Sequence, residues 1–371
     1  MNEVRIRNRG ARFLMVSASL VIVVAGLREI KPIAMPLVVA SFLSVLSSPL
    51  LAWLVDRRIP KFVSVLVTVL SNLAVVGIML LLVVGSLRAF SDTLPVYQKR
   101  LEDRARSSLT WLDQKGINTS ELDWLREQPL LSESPTEDTE ETEANPSLIN
   151  LSSLVDVLSS TLRGLAALMT NTFLVFLMMV FILFEASGFP LRLQSALGWE
   201  KDDLDRMWQA KREIQHYLGI KTIVSLVTGF LIFLWVLFLG VDFPLLWGLL
   251  AFLLNYIPSL GSILASIPAT MITLIEFGPG KALMVIFGYL VVNLVLGNFV
   301  EPHLMGRQFG LSTLVVFLSL VFWGWVWGPI GMLLSVPLTM ILKIMLEHTE
   351  DLSWVARLIS ARPLAFDSDL P

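Results

Sequence analysis

Residues 243–275 read FPLLWGLLAFLLNYIPSLGSILASIPATMITLI, without a single Asp, Glu, Lys or Arg. A straight helix of that length would reach ~50 Å at ~1.5 Å per residue, against a bilayer hydrocarbon core of ~30 Å. The run is also interrupted, by Asn255-Tyr256-Ile257-Pro258-Ser259-Leu260-Gly261. Pro removes a backbone donor and Gly loosens a helix. Two half-helices meeting at the interruption account for both the length and the composition, either as a re-entrant hairpin or as a kinked span. Freed backbone groups at membrane depth persist only where protein or a wet cavity covers them. A second uncharged run, 308–342, is longer still and is broken at Trp327-Gly328-Pro329-Ile330-Gly331.

Further uncharged runs lie outward from these two: 13–27, 33–55, 62–87, 164–184, 222–241 and 282–300. The expected fold is an all-α polytopic membrane protein with about eight membrane segments, two of them broken or re-entrant. Composition agrees. Of the 371 residues 55% are apolar and 16% charged, with a mean hydropathy of +0.72, where a soluble domain carries roughly 25% charged residues. The net charge of −3 offers no basic field for nucleic acid. The lack of cysteine excludes disulfides and thiolate chemistry. His216, His303 and His348 stand in no metal-ligand spacing, and no phosphate-binding Gly-rich loop with its Lys is present. Neither an enzyme nor a cofactor is expected.

Lys and Arg near the span ends set the orientation. Arg5, Arg7, Arg9 and Arg12, then Arg57, Arg58 and Lys61, then the basic residues of 186–221 alternate correctly for a cytoplasmic N-terminus. The C-terminus then also lies inside. Residues 1–88 form three N-terminal spans. Residues 89–162 are extracytoplasmic and amphipathic, with a disordered acidic loop over 132–147, because that stretch has no large apolar residue to bury. Residues 163–185 are the fourth span, 186–220 a cytoplasmic amphipathic helix, 221–345 a transport region holding both broken runs, and 346–371 a cytoplasmic tail.

The C-terminal half carries an internal echo. Ser266-Ile267-Pro268-Ala269-Thr270-Met271-Ile272 returns as Ser335-Val336-Pro337-Leu338-Thr339-Met340-Ile341, five identities in seven. Each copy follows a simple span, so the half reads as one unit written twice. If each broken run re-enters, the copies are inverted, a transporter design with its site between the breaks near the midplane. No carboxylate or base lies deep in either run, which points to a neutral or polyhydroxylated solute held by amides, hydroxyls and backbone groups. The substrate-binding candidates are Asn255, Tyr256, Pro258, Gly261, Asn293, Asn298, Gly328, Gly331 and Ser335. Asn255 is equally placed to cap the second half-helix. Glu301-Pro302 reads as a turn at a span end, with Glu301 the candidate for coupling to a proton or cation.

The order Tyr217-Leu218-Gly219-Ile220-Lys221-Thr222, Gly240-Val241-Asp242-Phe243-Pro244, Asn255 to Gly261, Asn298-Phe299-Val300-Glu301-Pro302-His303-Leu304-Met305-Gly306-Arg307 and Gly328-Pro329-Ile330-Gly331 resembles the autoinducer-2 exporter family of bacterial membrane proteins. The resemblance covers essentially the whole chain and is strongest over 215–342. It implies eight spans, a large extracytoplasmic insertion after the third, a homo-oligomer in the bacterial inner membrane, and export of a small signalling molecule such as autoinducer-2. For some members it implies cation/proton exchange instead. Two departures stand out: Ser312 follows Leu311 where the family usually has Pro, and Ser259 follows Pro258 where an aromatic residue is common. A non-transporting structural or lipid-interacting oligomer is the alternative from another class.

Overall fold

The computed structural model describes residues 9–114, 172–186, 192, 201–258, 260–305 and 311–347. The acidic loop over 132–147, the amphipathic stretch after it, Ser259 and the tail from residue 348 lie outside the described residues. Helices account for the architecture: α1 (Arg9–Glu29), α2 (Lys31–Asp56), α3 (Lys61–Gln114), α4 (Thr172–Glu185), α5 (Lys201–Phe238), α6 (Pro244–Leu254), α7 (Gly261–Phe277), α8 (Pro279–Met305), α9 (Thr313–Trp327), α10 (Pro329–Leu333) and α11 (Ser335–Glu347). Among the described residues, four stretches are long and apolar enough to cross a bilayer: Lys31–Asp56, Lys61–Tyr97, Lys211–Phe238 and Pro279–Met305. The remaining apolar helices are shorter, and they include the halves of both broken runs. This is an all-α polytopic membrane protein.

Two sequence-read boundaries fall inside continuous helices. The boundary at 88/89 lies within the 54-residue α3, and the one at 220/221 within the 38-residue α5. In α5 the charged amphipathic segment and the apolar span share one helix. Gly219 is the only Gly near that join, and a lone Gly costs a helix only about 1 kcal/mol.

The chain divides into two compact units that interleave along the sequence. The first takes α1, α2, α3 up to Val75, α4, α5 up to Lys221, and the chain from Leu304 onward. The second takes α3 from Val76 and the chain from Thr222 to His303. Each broken run therefore belongs to a different unit. The core of the second unit gathers Trp247, Val236, Ile232, Ala265, Ala269 and Val285, all nearly free of solvent contact. That of the first gathers Phe42, Tyr217, Trp323, Val326 and Trp327. Many large apolar side chains point outward, among them Leu81, Phe173, Leu231 and Phe238. Exposed apolar surface on this scale is what a lipid solvent requires.

Candidate functional site

Within the second unit, α5 turns at Gly240 (φ +64°) and α6 runs back along it. The two helices approach through Gly229 and Gly248. A Cβ on Gly229 would lie 2.6 Å from the Gly248 carbonyl oxygen, and one on Gly248 would lie 2.8 Å from that of Gly229. Small residues at such a crossing let backbones touch, which is how helices pack without a hydrophobic drive between them. The antiparallel register then brings the break of the run to the start of the α5 span. Asn255 donates through Nδ2 to Ser225 Oγ at 3.0 Å, and Tyr256 OH donates to Thr222 Oγ1 at 2.8 Å. The tip thus reaches the first turn of the uncharged run 222–241. α6 plus its break spans the part of α5 from Thr222 to Phe238.

The other end of the same run shows its course. Tyr97 OH donates to Asp242 Oδ2 at 2.7 Å, and Arg100 donates to Glu276 Oε1 at 3.0 Å. Asp242 precedes the run and Glu276 follows it, yet both sit against one turn of α3. The run therefore leaves on the side where it began, as a re-entrant hairpin of α6 and α7, and the kinked-span alternative is set aside. Trp247, wholly buried, fixes the first foot by donating from Nε1 to the Asp242 carbonyl at 2.7 Å. Phe90 packs edge-on against both Phe243 and Trp247.

The second run also doubles back. Trp323 of α9 donates from Nε1 to Thr339 Oγ1 of α11 at 3.1 Å, so those helices lie side by side. Gly328 turns the chain with φ +74°, a conformation that L side chains rarely adopt. The tip meets the junction of α1 and α2. Trp327 Nε1 donates to the Leu27 carbonyl at 3.0 Å, and the Arg28 guanidinium stacks 5.0 Å above the Trp325 ring.

Both tips obey one backbone constraint. A Cβ on Gly261 would collide with the carbonyl oxygen of Leu254, and a Cβ on Gly331 with that of Trp323. Each carbonyl belongs to the last turns of the half-helix before its break, so the two glycines are placed alike. The reason for these glycines is close approach. Neither has a positive φ, so a left-handed turn is not their role; that falls to Gly328 and, at the α7–α8 turn, to Gly278 (φ +88°). Asn255 does not cap α7. Leu260 holds the N-cap position with no side-chain cap bond, and the Asn255 side chain is turned to α5 instead.

The structure brings Asn255, Tyr256, Pro258 and Gly261 together at the first tip, and Gly328, Gly331 and Ser335 together at the second. Asn293, Asn298 and Glu301 lie on α8, which runs on through Glu301-Pro302 to Met305 rather than turning there. Over Leu294–Val300 it is wound as a π-helix, and Glu301 N–H bonds the Leu296 carbonyl. The cause is Pro302, which has no N–H and whose ring crowds the carbonyl four residues back. Winding from i to i+5 relieves that crowding. Gly261 and Leu294 lie at nearly equal distances along the chain on either side of Gly278. Since α7 and α8 pack against each other from that turn, the π-wound stretch lies at the height of the first tip.

Two hydroxyls at the hairpins are cut off from solvent without a protein partner: Thr270 Oγ1 of α7 and Ser335 Oγ of α11. Tyr289 OH on α8 is a third. Sequence reasoning missed Tyr289, together with Ser225 and Thr222 as partners of the tip. Thr222 and Ser225, one turn apart just inside a span, were the available signal. Among the described residues no three of His, Asp and Glu gather as a metal site.

Comparison with known proteins places this geometry. A family model described as AI-2E family transporter matches residues 17–351. The AI-2 transport protein TqsA of Escherichia coli K12 is 37% identical over 353 residues, covering 95% of this chain and 96% of that one. The putative transport protein YhhT of the same organism is 33% identical, with 94% of each chain covered. A putative transport protein of Haemophilus influenzae is 34% identical, over 94% of this chain and 96% of its own. The antiporter alternative finds no support in these relatives.

Proposed function

The chain belongs to the AI-2E family of transporters, and from that premise we propose that this membrane transporter exports a small polar solute of the autoinducer-2 class across the bacterial inner membrane. The observation that carries the reading is the pair of glycine-packed hairpins, each with one buried hydroxyl, Thr270 Oγ1 or Ser335 Oγ, left without a protein partner. An unpartnered buried hydroxyl costs about 1–3 kcal/mol, and a polyhydroxylated solute would relieve that cost while bound. The name of the relative TqsA supports the choice of solute.

In this reading the two hairpins are one unit written twice and inverted. The equal placement of Gly261 and Gly331 against a carbonyl supports it, as does the recurrence of Ser266–Ile272 at Ser335–Ile341. Both termini are cytoplasmic, the protein is a homo-oligomer, and Glu301 on the π-wound helix is the coupling carboxylate. The absence of native cysteine makes the topology directly testable. A thiol at Gly278 should label from outside and one at Met305 from inside; the reverse pattern sinks the orientation.

Flux into inside-out proteoliposomes, with and without an imposed pH gradient, tests the function. Autoinducer-2 should accumulate only when the protein is present. Equal uptake by protein-free vesicles would overturn the assignment of solute, and indifference to the gradient would remove the proton from Glu301.

A further inference from the structure

The open end of the first hairpin gathers polar side chains that the transport reading leaves unused. Asp242 stands at the start of the hairpin and Glu276 at its end, and their carboxyl groups are hydrogen-bonded to one another. Each is also tied to α3. Tyr97 OH donates to Asp242 Oδ2 at 2.7 Å, and Arg100 donates to Glu276 Oε1 at 3.0 Å. Lys281 of α8 is turned to another partner, with its ammonium 3.8 Å from the centroid of the Phe277 ring.

We propose that Asp242 and Glu276 form a proton-binding site, holding between them a single proton that ties the two feet of the hairpin together. The site goes beyond the transport reading, since it is separate from Glu301 and its test needs no solute. An ionised carboxylate only accepts hydrogen bonds, so two carboxyls bonded to each other must hold a proton. The charge balance points the same way. Arg100 brings one positive charge to Glu276, while the donor to Asp242 is the neutral phenol of Tyr97. With both carboxyls ionised, two like charges would stand in contact, an arrangement that drives a proton onto one of them. One proton leaves one negative charge against one guanidinium. The contact is also shielded from water: the Glu276 side chain is 14% exposed, and its Oε2 is cut off from solvent. The proton belongs to the pair rather than to either residue. When it leaves, the bond between the feet becomes a repulsion, while Tyr97 and Arg100 still anchor each foot to α3. The proton thus controls the contact of foot with foot and not the anchorage.

An infrared pH titration of the full chain in an ester-free detergent reads the site directly. A protonated carboxyl has a C=O stretch that a carboxylate lacks, and one such band should survive to higher pH than the rest. Asp242→Asn and Glu276→Gln should each abolish it, because the single carboxyl left behind accepts from the new amide and ionises. The lack of a surviving band, or its persistence in either variant, overturns the site. Thermal unfolding against pH reads the tie. The folded pair keeps a proton that the unfolded chain releases, so the stability of the parent should fall as pH rises through the titration of that band. Glu276→Gln should lose this slope, since its amide donates to Asp242 at every pH while its Oε1 still accepts from Arg100. Asp242→Asn, which can keep the contacts to Tyr97 and Glu276, should lose it as well, so the test does not hang on one variant folding. A slope equal in the parent and in a folded variant overturns the tie between the feet.

Discussion

The first tip is held by an amide and a phenol, the second by indoles. Asn255 and Tyr256 bond to Ser225 and Thr222, whereas Trp323 and Trp327 reach Thr339 and the Leu27 carbonyl. The left-handed residue also differs in place: Gly328 turns the second tip directly, while the first has no described residue with positive φ between Leu254 and Gly261. What the two share is the glycine pressed onto a carbonyl at the end of the preceding half-helix. The backbone approach is thus the fixed requirement of such a hairpin, and the side chains that tie it down are interchangeable.

The strongest way to break that comparison is to fill the approach. Gly261→Val and Gly331→Val should each abolish flux. Even Ala at either position should lower stability by about 1–3 kcal/mol through overpacking, read by thermal unfolding in detergent. Normal flux through both Val variants would show that the shared contact is incidental.

Removing the ties should cost less and should cost both tips alike. Asn255→Ala leaves the buried Ser225 hydroxyl without its partner, and Trp323→Phe does the same to Thr339 Oγ1 as acceptor. Each loss should lie near about 1–2 kcal/mol. A cost confined to one hairpin would mean that the two breaks are not energetically equivalent.

The free hydroxyls sharpen the comparison further, because there stability and function should separate. Thr270→Val and Ser335→Ala remove oxygens that bond nothing in the protein, so unfolding should be unchanged or slightly delayed. Flux should fall a few-fold, since one neutral hydrogen bond to a solute is worth about 0.5–1.5 kcal/mol. Equal flux in both variants would take these hydroxyls out of the solute path. The smallest effect is expected far from either hairpin. Deletion of 133–146, which has no large apolar residue to bury, should leave flux and assembly within error of the full chain.

Much of this molecule was legible in the order of its residues. The uncharged runs 243–275 and 308–342, with Pro and Gly at their centres, specify membrane helices that must break, because helix rise and bilayer thickness are fixed. The placing of Gly261 and Gly331 before matching Ser-x-Pro-x-Thr-Met-Ile segments marked both tips. Sequence could not show that the first run returns to its starting side. That depends on Asp242 and Glu276 meeting Tyr97 and Arg100 across a long stretch of intervening chain. Nor could it show how deep the tip reaches, because the Gly229–Gly248 contact sets the register of α6 along α5 and so the height of Asn255. The role of the tip glycines stayed open for the same reason. Sequence names a residue that tolerates unusual dihedrals and close contact alike, and only the packing of two helix backbones decides which of those freedoms is used.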